Sequence, residues 1–131
     1  EQTYHAAYEP MRGVRDERHI YIRRFDQREK LVLPNTDDTP AKSDLIEHGW
    51  QQQPRHQEML YDHYFDPEQQ NNLIDRPELA PTLAVLCRRL DDWMAATADP
   101  LLVGPVPIPQ GAQVTDVDVS SPGQAPLITG E

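Results

Sequence analysis

Between residues 79 and 97 the apolar positions Leu79, Leu83, Leu86, Leu90, Trp93 and Thr97 recur every three or four residues, which places them on one stripe of an α-helix. Arg88, Arg89, Asp91 and Asp92 fall on the opposite side. Asp75 and Pro77 mark the start, because a first helical turn does not need the N–H that proline lacks, and Glu78 suits the positive end of the helix dipole. Pro81 would cost a hydrogen bond in an established helix, so the regular part is predicted to begin near Ala80. Asp99-Pro100 marks the stop.

Upstream the periodicity changes. Met11–Asp16 and His19–Phe25 are short runs separated by the polar turn Asp16-Glu17-Arg18, the pattern of an antiparallel hairpin. Alternation in the second run sets Ile20 and Ile22 on the core side and His19, Tyr21 and Arg23 on the other. Leu31-Val32-Leu33 reads as a third strand, residues 34–40 as a loop, and Ser43–His48 as one or two helical turns with Ser43 as N-cap. Trp50 is expected to plug a core or an interface. Met59–Asp62 reads as a further strand, followed by a turn at Asp66-Pro67. The expected fold class is α+β: a small antiparallel sheet of three or four strands packed against one long C-terminal helix, burying Ile20, Ile22, Leu60, Leu83, Leu86, Leu90 and Trp93. Residues 99–131 then hold six prolines and four glycines with few charges, the composition of an extended Pro-rich tail. Within it Val114–Val119 alternates and can add as an edge strand. The predicted division is therefore a domain over residues 1–104 and a tail over 105–131.

Composition narrows the function. An apolar fraction of 37% and a mean hydropathy of -0.73 allow only a modest core in 131 residues. The net charge of -10, from 22 acidic and 12 basic residues, argues against nucleic acid as a partner, since phosphate binding needs a basic surface. No apolar run approaches a membrane span. One cysteine, Cys87, cannot form an internal disulfide. Glu1 stands in no signal-like context and reads as a cut in a longer chain, with any export signal upstream of it.

Against that acidic background Arg12, Arg15, Arg18, Arg23, Arg24 and Arg28 are closely spaced. Guanidinium forks suit sulfate or carboxylate groups, but a solvent-facing row paired with Asp16, Glu17, Asp26 and Glu29 is the better account, because alternation in strands produces such rows without any ligand. Asp62, His63 and Asp66, with His56 and Glu58 nearby, invite a metal reading whose spacing matches no standard site. Asp66 is better explained as a turn former, Asp62 as an acceptor of loop backbone N–H groups, and Asn71 and Asn72 as loop and cap residues. There is no Gly-rich phosphate loop and no Ser-His-Asp pattern.

The strings Leu60-Tyr61-Asp62, Asp66-Pro67-Glu68 and Asn71-Asn72-Leu73, with a helix ending Asp92-Trp93-Met94, resemble the C-terminal signature of type I sulfatases, written ELYDLxxDPxExxNL. Gln2-Thr3-Tyr4-His5, Pro10-Met11-Arg12, Val14-Arg15 and Tyr21-Ile22 follow in that family's order. With Thr97-Ala98-Asp99-Pro100 they are most similar to the heparan N-sulfatase (sulfamidase, N-sulphoglucosamine sulphohydrolase) branch. The resemblance covers about residues 1–104. It implies the same α+β architecture, and parent enzymes that use calcium and a formylglycine made from a C/S-x-P-S/T-R motif. That motif is missing from this chain, since Cys87 is followed by Arg88-Arg89-Leu90 and lacks the proline and arginine spacing, and the family's Asp and Asn metal ligands are missing too. No catalytic residue, metal ligand or cofactor is therefore assigned within it. The resemblance implies substrate contacts for His5, by match to the histidine of the Q-T-[FY]-H string, and for Arg12 at the cleft rim.

Two functions follow as expectations. The first is a C-terminal sulfatase fragment, inactive alone, that completes the fold and shapes the substrate pocket with the N-terminal catalytic domain of the same chain as partner. The second is a stand-alone interaction module derived from a sulfatase. A severed subdomain would expose apolar surface, so homo-oligomers are expected, while nucleic acid and membrane are not expected partners.

Overall fold

The computed structural model describes residues 1–131. Four strands, β1 (Gln2–Tyr4), β2 (Tyr8–Arg15), β3 (His19–Arg24) and β4 (Glu58–Asp62), lie side by side in that order, with β2–β3 and β3–β4 antiparallel. Two helices follow from the remaining pattern, α1 (Pro40–Glu47) and the 17-residue α2 (Ala80–Ala96). A second small antiparallel sheet pairs β5 (Gln113–Thr115) with β6 (Leu127–Thr129). This is the α+β fold expected from the sequence. The chain forms two compact units, one of Glu1, residues 11–25 and residues 56–105, the other of residues 2–10, 26–55 and 106–131.

The first unit contains the hairpin, β4 and α2. Register places Val14, Tyr21 and Leu60 opposite one another on one sheet face, and Gly13, Ile22 and Met59 on the other. Helix α2 packs on β3, over the Tyr21 side: Arg23 Nη1 reaches Asp91 Oδ1 at 2.6 Å, and the Tyr21 hydroxyl meets Cys87 and receives a 3.0 Å hydrogen bond from Arg23 Nε. Burial pushes the Tyr21 phenol well up. Tyr21 and Leu60 are fully buried, whereas Ile20 and Ile22 are only half-buried. The hairpin alternates as expected but presents the opposite parity to the helix. A two-residue period fixes which residues share a face, not which face is covered, and here both faces are apolar enough to be covered.

On α2 the buried residues are Leu86, Leu90 and Met94, while Leu79 and Leu83 are half-buried and Trp93 is 41% exposed. The stripe is rotated by one position at its C-terminal end, since Trp93 and Met94 are adjacent and the 3.6-residue period serves either. The start agrees with the sequence: residues 77–79 form a single 3₁₀ turn and the α-helix begins at Ala80, with Pro81 inside its first turn, where no hydrogen bond is lost.

In the second unit α1 begins three residues before Ser43. Thr39 is the N-cap, accepting from the Lys42 N–H at 3.1 Å, and Pro40 occupies the first helical position. Thr-Pro is a cap and first-turn pair that also reads as loop, which is how the sequence alone presents it. Leu31-Val32-Leu33 is not a strand; Val32 is buried and Leu33–Asn35 make a 3₁₀ turn. Residues 106–131 fold back through specific bonds: the Thr115 N–H donates to the Ala6 carbonyl at 2.8 Å, the Tyr4 hydroxyl to the Val106 carbonyl at 2.7 Å, and the Gly123 N–H to Thr115 Oγ1 at 2.9 Å. The alternating run at 114–119 supplies β5 only in its first two residues.

If Leu90 anchors α2, Leu90→Ala should cost about 2–5 kcal/mol in urea-induced unfolding, with the denaturant slope unchanged. Trp93→Ala should cost clearly less. Equal losses would place the helix stripe where the sequence, not the structure, puts it.

Candidate functional site

The turn after β4 is built from the residues that carry the family-like string. Asp62 Oδ1 accepts the backbone N–H groups of Tyr64 and Phe65, each at 3.1 Å, and Asp62 Oδ2 accepts Arg18 Nε at 2.9 Å and Nη2 at 2.6 Å. The Arg18 hydrogen bond above all, with the two backbone donors, holds the Asp62 carboxyl down to about 2 although burial works against it. The His63 N–H donates to the Arg18 carbonyl at 2.7 Å, so the two turns hold each other by backbone as well as by charge. Asp66 accepts the Gln70 and Asn71 N–H groups at 3.0 and 2.8 Å, which lowers its pKa. Asn72 closes the loop. Its Oδ1 accepts the N–H of Leu60 at 2.9 Å and of Ile74 at 3.1 Å, its Nδ2 donates to the Glu58 carbonyl at 3.2 Å, and the Leu73 N–H reaches the Leu60 carbonyl at 2.7 Å. The amide side chain thus serves as one more strand residue along the outer edge of β4.

Arg12 lies on the helix-covered face and is 3% exposed. Its guanidinium grips Asp99 at the end of α2 in a two-point pair, Nε to Oδ2 at 2.6 Å and Nη2 to Oδ1 at 3.2 Å, with Nη1 donating to its own strand at the Met11 carbonyl. Burial raises the Asp99 pKa, but Arg12 and the Leu101 N–H at 2.9 Å outweigh it, and the net shift is downward. The side chain that the sequence reading set at a cleft rim is committed to an interior ion pair. His5 is exposed and belongs to the second unit, whereas Arg12 belongs to the first.

The second unit is fastened by two buried cations that the sequence reading did not single out. The Arg55 side chain is fully buried; Nη1 and Nη2 bind both oxygens of Asp26 at 2.6 and 2.9 Å, Nη1 also reaches the Arg28 carbonyl at 2.8 Å, and Nη2 lies 3.4 Å from Glu9. Lys42 Nζ donates to Asp38, to the Thr36 carbonyl and to the Ser120 carbonyl at 2.6–2.9 Å. The Arg55 acceptors and the Ser120 carbonyl on Lys42 come from distant segments, and only Asp38 and Thr36 lie near Lys42 in sequence.

An open depression of about 760 Å³ in the first unit is lined by Arg15, Asp16, Glu17, Arg18, His19, Thr82 and Arg89. Asp16 spends one oxygen on the Arg18 and His19 N–H groups, at 2.8 and 2.6 Å. Arg18 is already paired with Asp62, and Asp16 and Glu17 stand beside Arg15 and Arg89, so the cations of the depression are matched by carboxylates. No group of three His, Cys, Asp or Glu side chains converges on a common point. The carboxylates of Asp62 and Asp66 are occupied by backbone N–H groups and, for Asp62, by Arg18. Cys87 sits half-buried on α2 against Tyr21, in the helical run its sequence context predicts.

No family model matches the chain. Two proteins from Formosa agariphila, both named ulvan-active sulfatase, are similar to it. One is 32% identical over 118 residues, covering 86% of this chain and 24% of that protein; the other is 28% identical over 109 residues, covering 73% and 18%. The chain spans about a quarter of the length of the first. These matches support a relationship to the sulfatase family; neither relative is named as a heparan N-sulfatase.

Breaking the buried pair with Arg12→Met should cost about 3–5 kcal/mol, because Asp99 is left charged without a partner. Adding Asp99→Leu to Arg12→Met should recover most of that loss in the same denaturation measurement. A stable Arg12→Met variant would show that the pair holds nothing together.

The unfolded Asp62 carboxylate titrates near 3.8 and the folded one near 2. Its stabilisation is therefore complete above the first value and disappears as pH falls through the second. Thermal melts across pH 2 to 6 should show this acid-side loss, and Asp62→Asn should flatten it.

Proposed function

We propose that this chain works as the C-terminal layer of a sulfatase, completing the fold and shaping the pocket of a catalytic portion that supplies the reaction centre. The single observation that carries this reading is the alignment itself, which takes in most of this chain and about a quarter of its relative. The surface of the first unit agrees with it. Val85, Trp93, Leu102 and Val103, on α2 and just beyond it, are 41–95% exposed, apolar area of the kind that a partner domain covers.

In this reading the chain contributes shape and charge, not bond breaking. The Asp62 and Asp66 turn, the Asn72 edge and the Arg12–Asp99 pair hold the layer rigid. His5, exposed and chemically able to donate or accept at a sugar hydroxyl or a sulfuryl oxygen, is the contact offered to substrate. The substrate class is a sulfated polysaccharide, taken from the names of the relatives. An N-sulfo amino sugar, the narrower alternative, is supported only by the short strings around His5, Arg12 and Asp99.

The 131-residue protein should show no turnover of an aryl sulfate with or without added calcium. Turnover that Cys87→Ala removes would overturn the proposal, since it would locate a nucleophile within this chain.

A further inference from the structure

The β5–β6 sheet has one open edge. Register sets Val114 against Ile128 and Thr115 against Leu127, and the bonds around these pairs show which way each backbone points. The Asp116 N–H donates to the Pro126 carbonyl and the Gly130 N–H to the Ala112 carbonyl, so the even-numbered residues of both strands face inward across the pair. The Thr115 N–H turns the other way and donates to the Ala6 carbonyl, which ties down the outer side of β5. By the same alternation the N–H and C=O groups of Leu127 and Thr129 point away from β5, along the outer side of β6. No other segment bonds to them. Leu127 and Ile128 are each 42% exposed.

Edges of this kind are ordinarily blunted by a charge or a proline within the strand, and β6 carries neither. Residues 119–130 hold no charged side chain, so on a protein whose net charge is -10 this stretch meets a second copy of itself without local repulsion. The strand is also self-complementary. Run antiparallel about a two-fold axis at Ile128, each copy sets Leu127 opposite the other's Thr129, and every outward N–H of both strands meets an outward C=O. The two Ile128 side chains then face each other across a non-hydrogen-bonded pair, where strands approach most closely. Glu131 falls opposite Ala125 and not opposite its own counterpart. We propose that β6 is a dimerisation edge occupied by β6 of a second copy of this chain, joining the two small sheets into one continuous sheet. The contact is small, so the dimer is reversible and forms as protein concentration rises. It uses no residue of the exposed α2 surface and does not depend on a catalytic partner.

Sedimentation velocity of the 131-residue protein over a concentration series should show a monomer–dimer equilibrium. Thr129→Pro removes an outward N–H and leaves the bonds to β5 in place, and Ile128→Lys sets two cations against each other at the axis. Each should weaken dimerisation about tenfold or more, with near-ultraviolet circular dichroism confirming the fold. Val103→Lys, on the exposed apolar surface of the first unit, should leave the equilibrium unchanged. A second measurement does not rely on those variants. In a Cys87→Ser background, Ile128→Cys should form an intermolecular disulfide on mild oxidation, because Cα atoms of a non-hydrogen-bonded pair lie within bridging distance, whereas Gln113→Cys on β5 should not. A monomer at every concentration overturns the proposal. So does a dimer that Val103→Lys dissociates while Thr129→Pro and Ile128→Lys do not, since the copies would then meet through the first unit. Equal crosslinking through Ile128→Cys and Gln113→Cys also overturns it. None of these outcomes bears on turnover of an aryl sulfate, so the two proposals fail separately.

Discussion

Covering one face of the β3–β4 pair is the constraint on which the first unit depends. Tyr21 and Leu60 are register partners with no exposed surface, and they can be dry only while α2 lies over them. Leu86, Leu90 and Met94 are the buried residues of that helix. The Arg23–Asp91 pair and the meeting of Tyr21 with Cys87 set its position, since Cys87 and Asp91 are one helical turn apart. A phenol in this position brings a polar end into a dry layer, and the Arg23 donor satisfies it.

Around that layer most of the ordering is done by side chains that satisfy backbone groups. Asp62, Asp66 and Asn72 together hold the strand-to-helix connection without burying much apolar area, which suits a chain with a mean hydropathy of -0.73. The second unit follows the same economy through Arg55 and Lys42, whose charged ends lie among carboxylates and carbonyls contributed by separate segments. Removing either cation would strand several acceptors at once. Polar networks of this kind specify one arrangement sharply because partial satisfaction is costly.

The elements legible in the sequence were those governed by local rules. The long helix, its proline-tolerant start, the hairpin about Asp16-Glu17-Arg18 and the strand at Met59–Asp62 all follow from spacing and turn chemistry. So does the duty of Asp62 and Asp66 as acceptors for the turn. What escaped was decided by tertiary context. The choice between Ile22 and Tyr21 as the covered parity, and between Trp93 and Met94 on the helix, depends on where a neighbour sits. Arg12 shows the same limit: a guanidinium in a strand reads as solvent-facing until a carboxylate 87 residues later is seen beneath the helix. The folding back of residues 106–131 rests on long-range bonds to Ala6 and from Tyr4, Arg28 and Lys42, which composition does not encode.

That long separation has a kinetic meaning. A pair joining Arg12 to Asp99 contributes nothing until the hairpin, β4 and α2 have already been gathered, because the loop entropy between them must be overcome first. It is a latch and not a nucleus. Its strength therefore governs how slowly the assembled unit comes apart more than how quickly it forms, and a unit built this way can persist through excursions that its small apolar core alone would not survive.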